Sequence, residues 1–195
     1  LVVAAARRFA FVAGVDVAFR WLVVGAVRLR EASVRAPLVC ANAEFLPYPD
    51  DSFTAVAATD LVEHLIDPAP VFAECRRVAT PGGAVYFSTN NRYALAPEPH
   101  VNVWGVGWLP RGLQAGYVRL ASDRAYRNIT LRSAAELEGW ARAAGFDSAR
   151  AGPAPLALPL PLRGLQAAYD RRRRWPACAR LLRRIGPRLQ LLCRK

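Results

Sequence analysis

Short apolar runs separated by stretches of helical periodicity set the frame of this chain. Residues 1–9 pattern as the second half of a helix. The run AFVAGV over 10–15 ends in Asp16, as suits a buried parallel strand with a carboxylate at its carboxyl end. Residues 19–31 carry apolar positions at helical spacing, with Arg28 and Arg30 near the C-terminus, where the helix dipole favours cations. Pro37 precedes a brief strand at Leu38, Val39 and Cys40. The turn-rich LPYPDDS over 46–52 leads into FTAVAAT over 53–59, another buried strand. Residues 67–79 predict a helix with Asp67 as its cap and Pro68 in first position. Pro81, Gly82 and Gly83 then turn the chain into the strand AVYFST over 84–89. Strands alternating with helices at this spacing predict an α/β protein with a parallel, doubly wound sheet.

After Asn91 the periodicity fails for about thirty-five residues, and irregular stretches of that length are usually functional or disordered. Regularity returns at 133–144, an amphipathic helix closed by Gly145, and residues 146–150 form a strand. A proline-rich stretch and an arginine-laden helix follow. The final RLQLLCRK over 188–195 reads either as a terminal strand or as the end of an amphipathic helix. The organisation expected is one domain over 1–195: a core at 1–150, an insertion or tail at 151–187, and the closing segment.

Charge changes this picture only at one end. The net charge is +12, of which +9 lies in residues 170–195, so the basic character belongs to the C-terminal region. Leucines interleaved with arginines there suit either a solvated basic helix or peripheral contact with an anionic membrane surface. Cys40, Cys75, Cys178 and Cys193 form no C-x-x-C pair, and His64 and His100 lie far from all of them in sequence, so neither a metal site nor a disulfide framework is expected. A reduced, cytoplasmic protein is the default. Apolar stretches at 9–27 and 153–162 are interrupted by charge or too short to span a bilayer. The chain starts with leucine, contains no methionine and shows no signal-peptide order, and reads as a fragment or a miscalled start.

Three blocks carry the chemistry. RVATPGG over 77–83 stops a helix at Pro81 and gives two glycines for a tight turn into the sheet. ANAEFLPYPDDSFTAV over 41–56 places Asn42 after a strand, and GVDVAF over 14–19 places Asp16 at a strand's carboxyl end. A carboxylate there can accept one hydrogen bond on each oxygen from a ribose diol, or can cap the following helix. In order and spacing these blocks resemble the class I S-adenosylmethionine-dependent methyltransferases of small-molecule type, over roughly residues 1–150.

The resemblance implies a Rossmann-like sheet with helices on both faces, with S-adenosylmethionine as cofactor. It implies Asp16 and Val17 at the ribose, Asn42 and the Ala43 amide at the adenine, and Thr59 near the methionine part. Where the family carries aspartate this chain has Asn42, whose carbonyl can still accept the adenine amine's bond without the charge. By the same resemblance, the first strand and the G-x-G-x-G loop belong before Leu1, so residues 1–195 alone are expected to bind the cofactor weakly.

Methyl transfer from a sulfonium is an in-line displacement and needs positioning more than a fixed catalytic motif. A general base helps if the acceptor carries a proton, which makes His64 and His100 the candidates. The irregular segment 90–112 follows the strand at 84–89, where open sheets bind ligands, and offers Asn90, Arg92, Glu98 and His100 as polar contacts. Tyr93, Trp104 and Trp108 are expected as pocket walls. The leading expectation is methylation of a small or lipid-like molecule. Competing expectations are a non-catalytic remnant and, ranked lower because no N-P-P-Y-type base-methylation motif occurs, an RNA-directed enzyme.

Overall fold

A computed structural model describes residues 1–155 and 163–195. The leucine and proline run over 156–162, part of the expected insertion, lies outside the described residues. The chain, read from sequence as one domain, packs as two compact units, Leu1–Asp50 and Asp51–Lys195.

The first unit holds α1 (Val2–Ala6), β1 (Gly14–Asp16), α2 (Phe19–Glu31) and β2 (Leu38–Cys40). β1 and β2 pair in parallel, Gly14 opposite Leu38. The predicted strand over 10–15 shortens to three residues because the chain is irregular until Gly14. Leu38 packs closely over Gly14: a Cβ there would fall 2.7 Å from its Cδ2, so a larger residue would push the Leu38 side chain aside. α2 spans the predicted helix to the residue and buries Leu22 and Leu29, one stripe two turns apart.

In the second unit β3 (Phe53–Thr59) runs parallel to β4 (Ala79–Asn90), and β6 (Arg188–Arg194) pairs antiparallel with both β4 and β5 (Ser148–Pro153). The order is β3-β4-β6-β5. Of the two readings of the last segment, the terminal strand is the one observed. The predicted Pro81-Gly82-Gly83 turn proves to be an irregularity inside a longer strand. Ladder partners jump from Phe53↔Ala79 to Ala55↔Ala84, and Gly82 takes a left-handed φ of 73°.

α3 (Ala69–Val78) buries Val71, Phe72, Cys75 and Val78 on one face, with the Asp67 carboxylate accepting the Ala69 N–H at 3.0 Å. Phe72 stacks on Phe87 of β4 with ring centroids 4.2 Å apart. α5 (Ala134–Ala143) begins with a capping box between Ser133 and Glu136, and Gly145 beyond its end has φ 83°. α4 (Arg111–Ala121) contradicts the expectation that the chain stays irregular after Asn91. Its sequence, RGLQAGYVRLA, buries only Gln114 and Val118 and carries two glycines, so the periodic signal is faint. α6 (Arg163–Arg172) and α7 (Pro176–Ile185) account for the arginine-rich stretch. No helix among the described residues is long and apolar enough to cross a membrane.

All four cysteines are free thiols. Burial pushes Cys75, and likewise Cys193, from the ordinary 9.0 up to about 12. The unfolded chain releases these protons at lower pH than the folded one, so their contribution is complete below about 9 and is lost as pH rises toward 12. Thermal unfolding should therefore show the melting temperature falling across that alkaline window. The slope should flatten when both residues are replaced by alanine, and an unchanged slope would contradict it.

Candidate active site

The carboxyl ends of β3 and β4 open onto a cavity of about 400 Å³, the size of a small-ligand site. Asp60, directly after β3, takes a left-handed φ of 53°, and its N–H donates to the Ser88 carbonyl at 3.0 Å. This turns its carboxylate onto the Arg188 guanidinium at the start of β6, and both line the cavity.

Glu63 is the structural centre of the floor. It is 1% exposed, and its carboxylate accepts from the Thr89 hydroxyl at 2.6 Å and the Asn90 amide at 3.2 Å. Its backbone carbonyl accepts the Thr130 N–H at 2.7 Å. Two residues on, the Arg132 carbonyl accepts the Arg92 N–H at 3.0 Å, so one short segment holds both sides of the site. Burial lowers the affinity of the Arg132 guanidinium for its proton, aided by Arg111. The Asn91 amide donates to the carbonyls of Arg184 at 3.0 Å and Gly186 at 2.8 Å, tying the loop to the end of α7.

The loop beyond β4 is shaped by one close approach. Gly107 lies against the backbone of Arg92, whose Nε donates to the Gly107 carbonyl at 3.1 Å. Further along, Glu98 is 4% exposed, and its Oε2 accepts the N–H groups of His100 at 2.9 Å and Val101 at 3.0 Å. Its Oε1 lies 2.6 Å from His100 Nδ1. Burial raises the Tyr126 hydroxyl well above its ordinary value, with the Glu98 charge adding to the effect.

Of the predicted substrate contacts, Asn90, Arg92 and His100 line the cavity. Trp104 does not: it is 61% exposed, and its carbonyl accepts the Tyr117 hydroxyl at 2.9 Å. The expected aromatic wall is absent from the cavity lining, because Tyr93 and Trp108 pack edge to face against each other at 5.3 Å. His64 also lies outside the lining, with its ring edge-on to His100 at 5.4 Å and Nδ1 3.4 Å from the Asn128 carbonyl. By resemblance, the sequence places the segment 59–65, which holds Asp60 and Glu63, beside the methionine part of the cofactor and the substrate, without singling out either carboxylate; Arg188 carries no such signal. The signal for the first two was present in TDLVEHL, whose carboxylates immediately follow a strand.

In the first unit, Asp16 Oδ1 accepts the Ala18 N–H at 2.8 Å, leaving its second oxygen without a partner among the described residues. Asn42 Oδ1 accepts the Glu44 N–H at 3.0 Å, while the Ala43 N–H is unengaged among the described residues. Val17 is 71% exposed. A half-free carboxylate and an open amide fit a ribose hydroxyl and a purine edge. The Asn42 carbonyl fits less well, being already occupied. Thr59, in the other unit, is exposed at the end of β3.

The family described as "Methyltransferase domain" matches residues 1–87. The ubiquinone biosynthesis O-methyltransferase of Paracidovorax citrulli is 39% identical over 116 residues, 56% of this chain and 48% of that protein. The same-named protein of Ralstonia nicotianae is 33% identical over 150 residues, covering 74% and 57%. This chain spans about half the length, or less, of the curated relatives it matches.

Among solved structures, phosphoethanolamine N-methyltransferase 2 of Haemonchus contortus superposes with TM-score 0.63 at 18% identity, covering 98% of this chain and 45% of that one. YcgJ of Bacillus subtilis gives 0.61 at 17%, covering 98% and 85%. Residues 1–87 match the methyltransferase-domain family, and the fold is that of the class I methyltransferases. The class I frame accounts for the parallel pairs β1–β2 and β3–β4 and for the antiparallel β6 that closes between β4 and β5. It does not by itself fix the reaction, since the [4+2]-cyclase SpnF shares the fold at TM-score 0.60 and 21% identity.

Proposed function

We propose that this chain belongs to an S-adenosylmethionine-dependent methyltransferase acting on a hydroxyl of a small or lipid-like molecule. The observation that carries the reading is the cavity at the carboxyl ends of β3 and β4, mostly apolar with a few polar side chains converging on it, on a chain similar over more than half its length to O-methyltransferases. When bound, S-adenosylmethionine supplies the electrophilic methyl group. In the first unit, the residues proposed to hold it are Asp16 and Val17 at the ribose and Asn42 and the Ala43 amide at the adenine; in the second unit, Thr59 is proposed as a contact of the amino-acid part. Asn90 and Arg92 are proposed to hold the acceptor, and the loop around Gly107 to exclude water.

Titration calorimetry with S-adenosylmethionine tests the cofactor site. Asp16→Ala is expected to weaken binding about 100-fold, in keeping with the loss of a charged partner to a hydroxyl. Equal affinity of the two proteins would remove Asp16 from the site. One observation favours the competing reading of a non-catalytic remnant: Asn42 is folded onto Glu44 rather than left open. That reading predicts no heat from either protein.

We also propose peripheral contact with an anionic membrane through the C-terminal region. Exposed Trp175 and Leu181 stand beside Arg180 and Arg184, the composition of an interfacial helix. Co-sedimentation with anionic but not zwitterionic vesicles is the expected result, and no difference between them would overturn it.

A further inference from the structure

We propose that Glu98 and His100 form a dyad in which the imidazole Nε2 takes the proton of the acceptor hydroxyl; this rests on the methyl-transfer reading above. The geometry is built from the buried end outward. The Glu98 side chain is 2% exposed and fixed at both oxygens, Oε2 by the His100 and Val101 amides and Oε1 by His100 Nδ1 at 2.6 Å. Its backbone is pinned as well, with the Glu98 N–H donating to the Val103 carbonyl at 2.8 Å and its carbonyl accepting the Asn102 N–H at 2.7 Å. A carboxylate so held makes Nδ1 the protonated nitrogen and leaves Nε2 as the acceptor, the arrangement that suits a general base.

His100 is the part that reaches the ligand. Its side chain is 31% exposed and lines the cavity, and no partner is found for Nε2 among the described residues. His64, the other histidine, lies outside the lining and approaches His100 edge-on. The charged groups around the dyad are Asp60, Glu63, Arg92 and Arg188 on the cavity wall, and Arg124, whose Nη1 donates to the His100 carbonyl at 3.1 Å. Tyr126 lies within the field of Glu98. Arg92, its Nε engaged by Gly107 and its guanidinium over Tyr93, is placed to stabilise a developing oxyanion.

The step balances simply. The acceptor O–H proton passes to His100 Nε2, the oxygen forms the new bond to the methyl carbon, and the pair of the broken S–C bond remains on sulfur. Glu98 stabilises the resulting imidazolium and is a positioning residue rather than a catalytic one. Acceptors with acidic hydroxyls, phenols and catechols, are the class this device serves best, since a single imidazole can remove their proton without a metal.

The test uses the full-length protein with 4-nitrocatechol, whose absorption band reports ionisation of its hydroxyl, at a pH where the free probe is protonated. Wild-type protein should bind it in the ionised form. His100→Gln should lower the ionised fraction at least tenfold while His64→Gln leaves it unchanged, and Glu98→Gln should fall between. Nitrogen-15 spectra of the histidines provide a readout independent of turnover, with His100 protonated at Nδ1 in the wild type and losing that preference in Glu98→Gln. Equal ionisation in His100→Gln, a bound probe that stays protonated, a protein that takes up no probe, or the opposite tautomer would each overturn the proposal. Ionised probe that is never methylated would instead count against the methyl-transfer reading, leaving the dyad standing.

Discussion

Gly107→Ala is expected to dismantle the site and cost the fold more than about 4 kcal/mol, an exceptional figure for one methyl group. The built Cβ would lie 1.8 Å from the Arg92 carbonyl oxygen and 2.7 Å from its carbonyl carbon, so two backbone segments would have to part. Parting them breaks the Arg92 N–H bond to Arg132 and the Arg92 Nε bond to Gly107 itself. For a protein of this size the melting temperature should fall by about 10 °C or more. Binding of a phenolic probe should be lost with it. A melting point within about 2 °C of wild type would show that the loop has room to spare and that the cavity's shape does not depend on this contact.

Glu63→Ala should be nearly as damaging, for an electrostatic rather than a steric reason. Removing the carboxylate leaves the Thr89 hydroxyl and the Asn90 amide without their acceptor, in positions 0% and 7% exposed. Each stranded donor costs about 1–3 kcal/mol, so a loss of about 2–6 kcal/mol is expected in urea unfolding. Glu63→Gln keeps the volume and one acceptor oxygen and should recover a substantial part of that loss. If the alanine variant unfolds at the wild-type denaturant midpoint, Glu63 is not the tie that fixes the end of β4.

How far these features could be read in advance depended on whether the determining contact was local. α2 and α3 were legible because an apolar stripe, a preceding Asp67 and Pro68, and terminal arginines all lie within the elements themselves. β3 was legible as a strand from its short apolar run, but not as a buried one, since none of its seven residues is buried. α4 was not, because its buried face is only Gln114 and Val118 and its partners come from the same irregular loop. The strand through Pro81, Gly82 and Gly83 was missed because turn residues are also bulge residues, and the C-terminal strand that holds Gly82 is remote in sequence.

The site divides the same way. Asn90, Arg92 and His100 were legible from their position after a strand, since ligands gather at carboxyl ends. The aromatic wall was not, because exposed tryptophans and cavity tryptophans carry the same sequence signature, and only the turn at Gly107 decides which way the chain faces. Glu98 appeared in sequence as one polar residue among several. Its burial, and hence its pairing with His100, arises from backbone amides that no spacing rule singles out.

The most direct measurement of the central claim is transfer of labelled methyl from S-adenosylmethionine to a phenolic acceptor by the full-length protein. The account predicts label on the acceptor oxygen, reduced at least tenfold by either Asp16→Ala or His100→Gln. Label that never leaves S-adenosylmethionine across a panel of phenols and catechols, with cofactor binding demonstrated in the same protein, would contradict it.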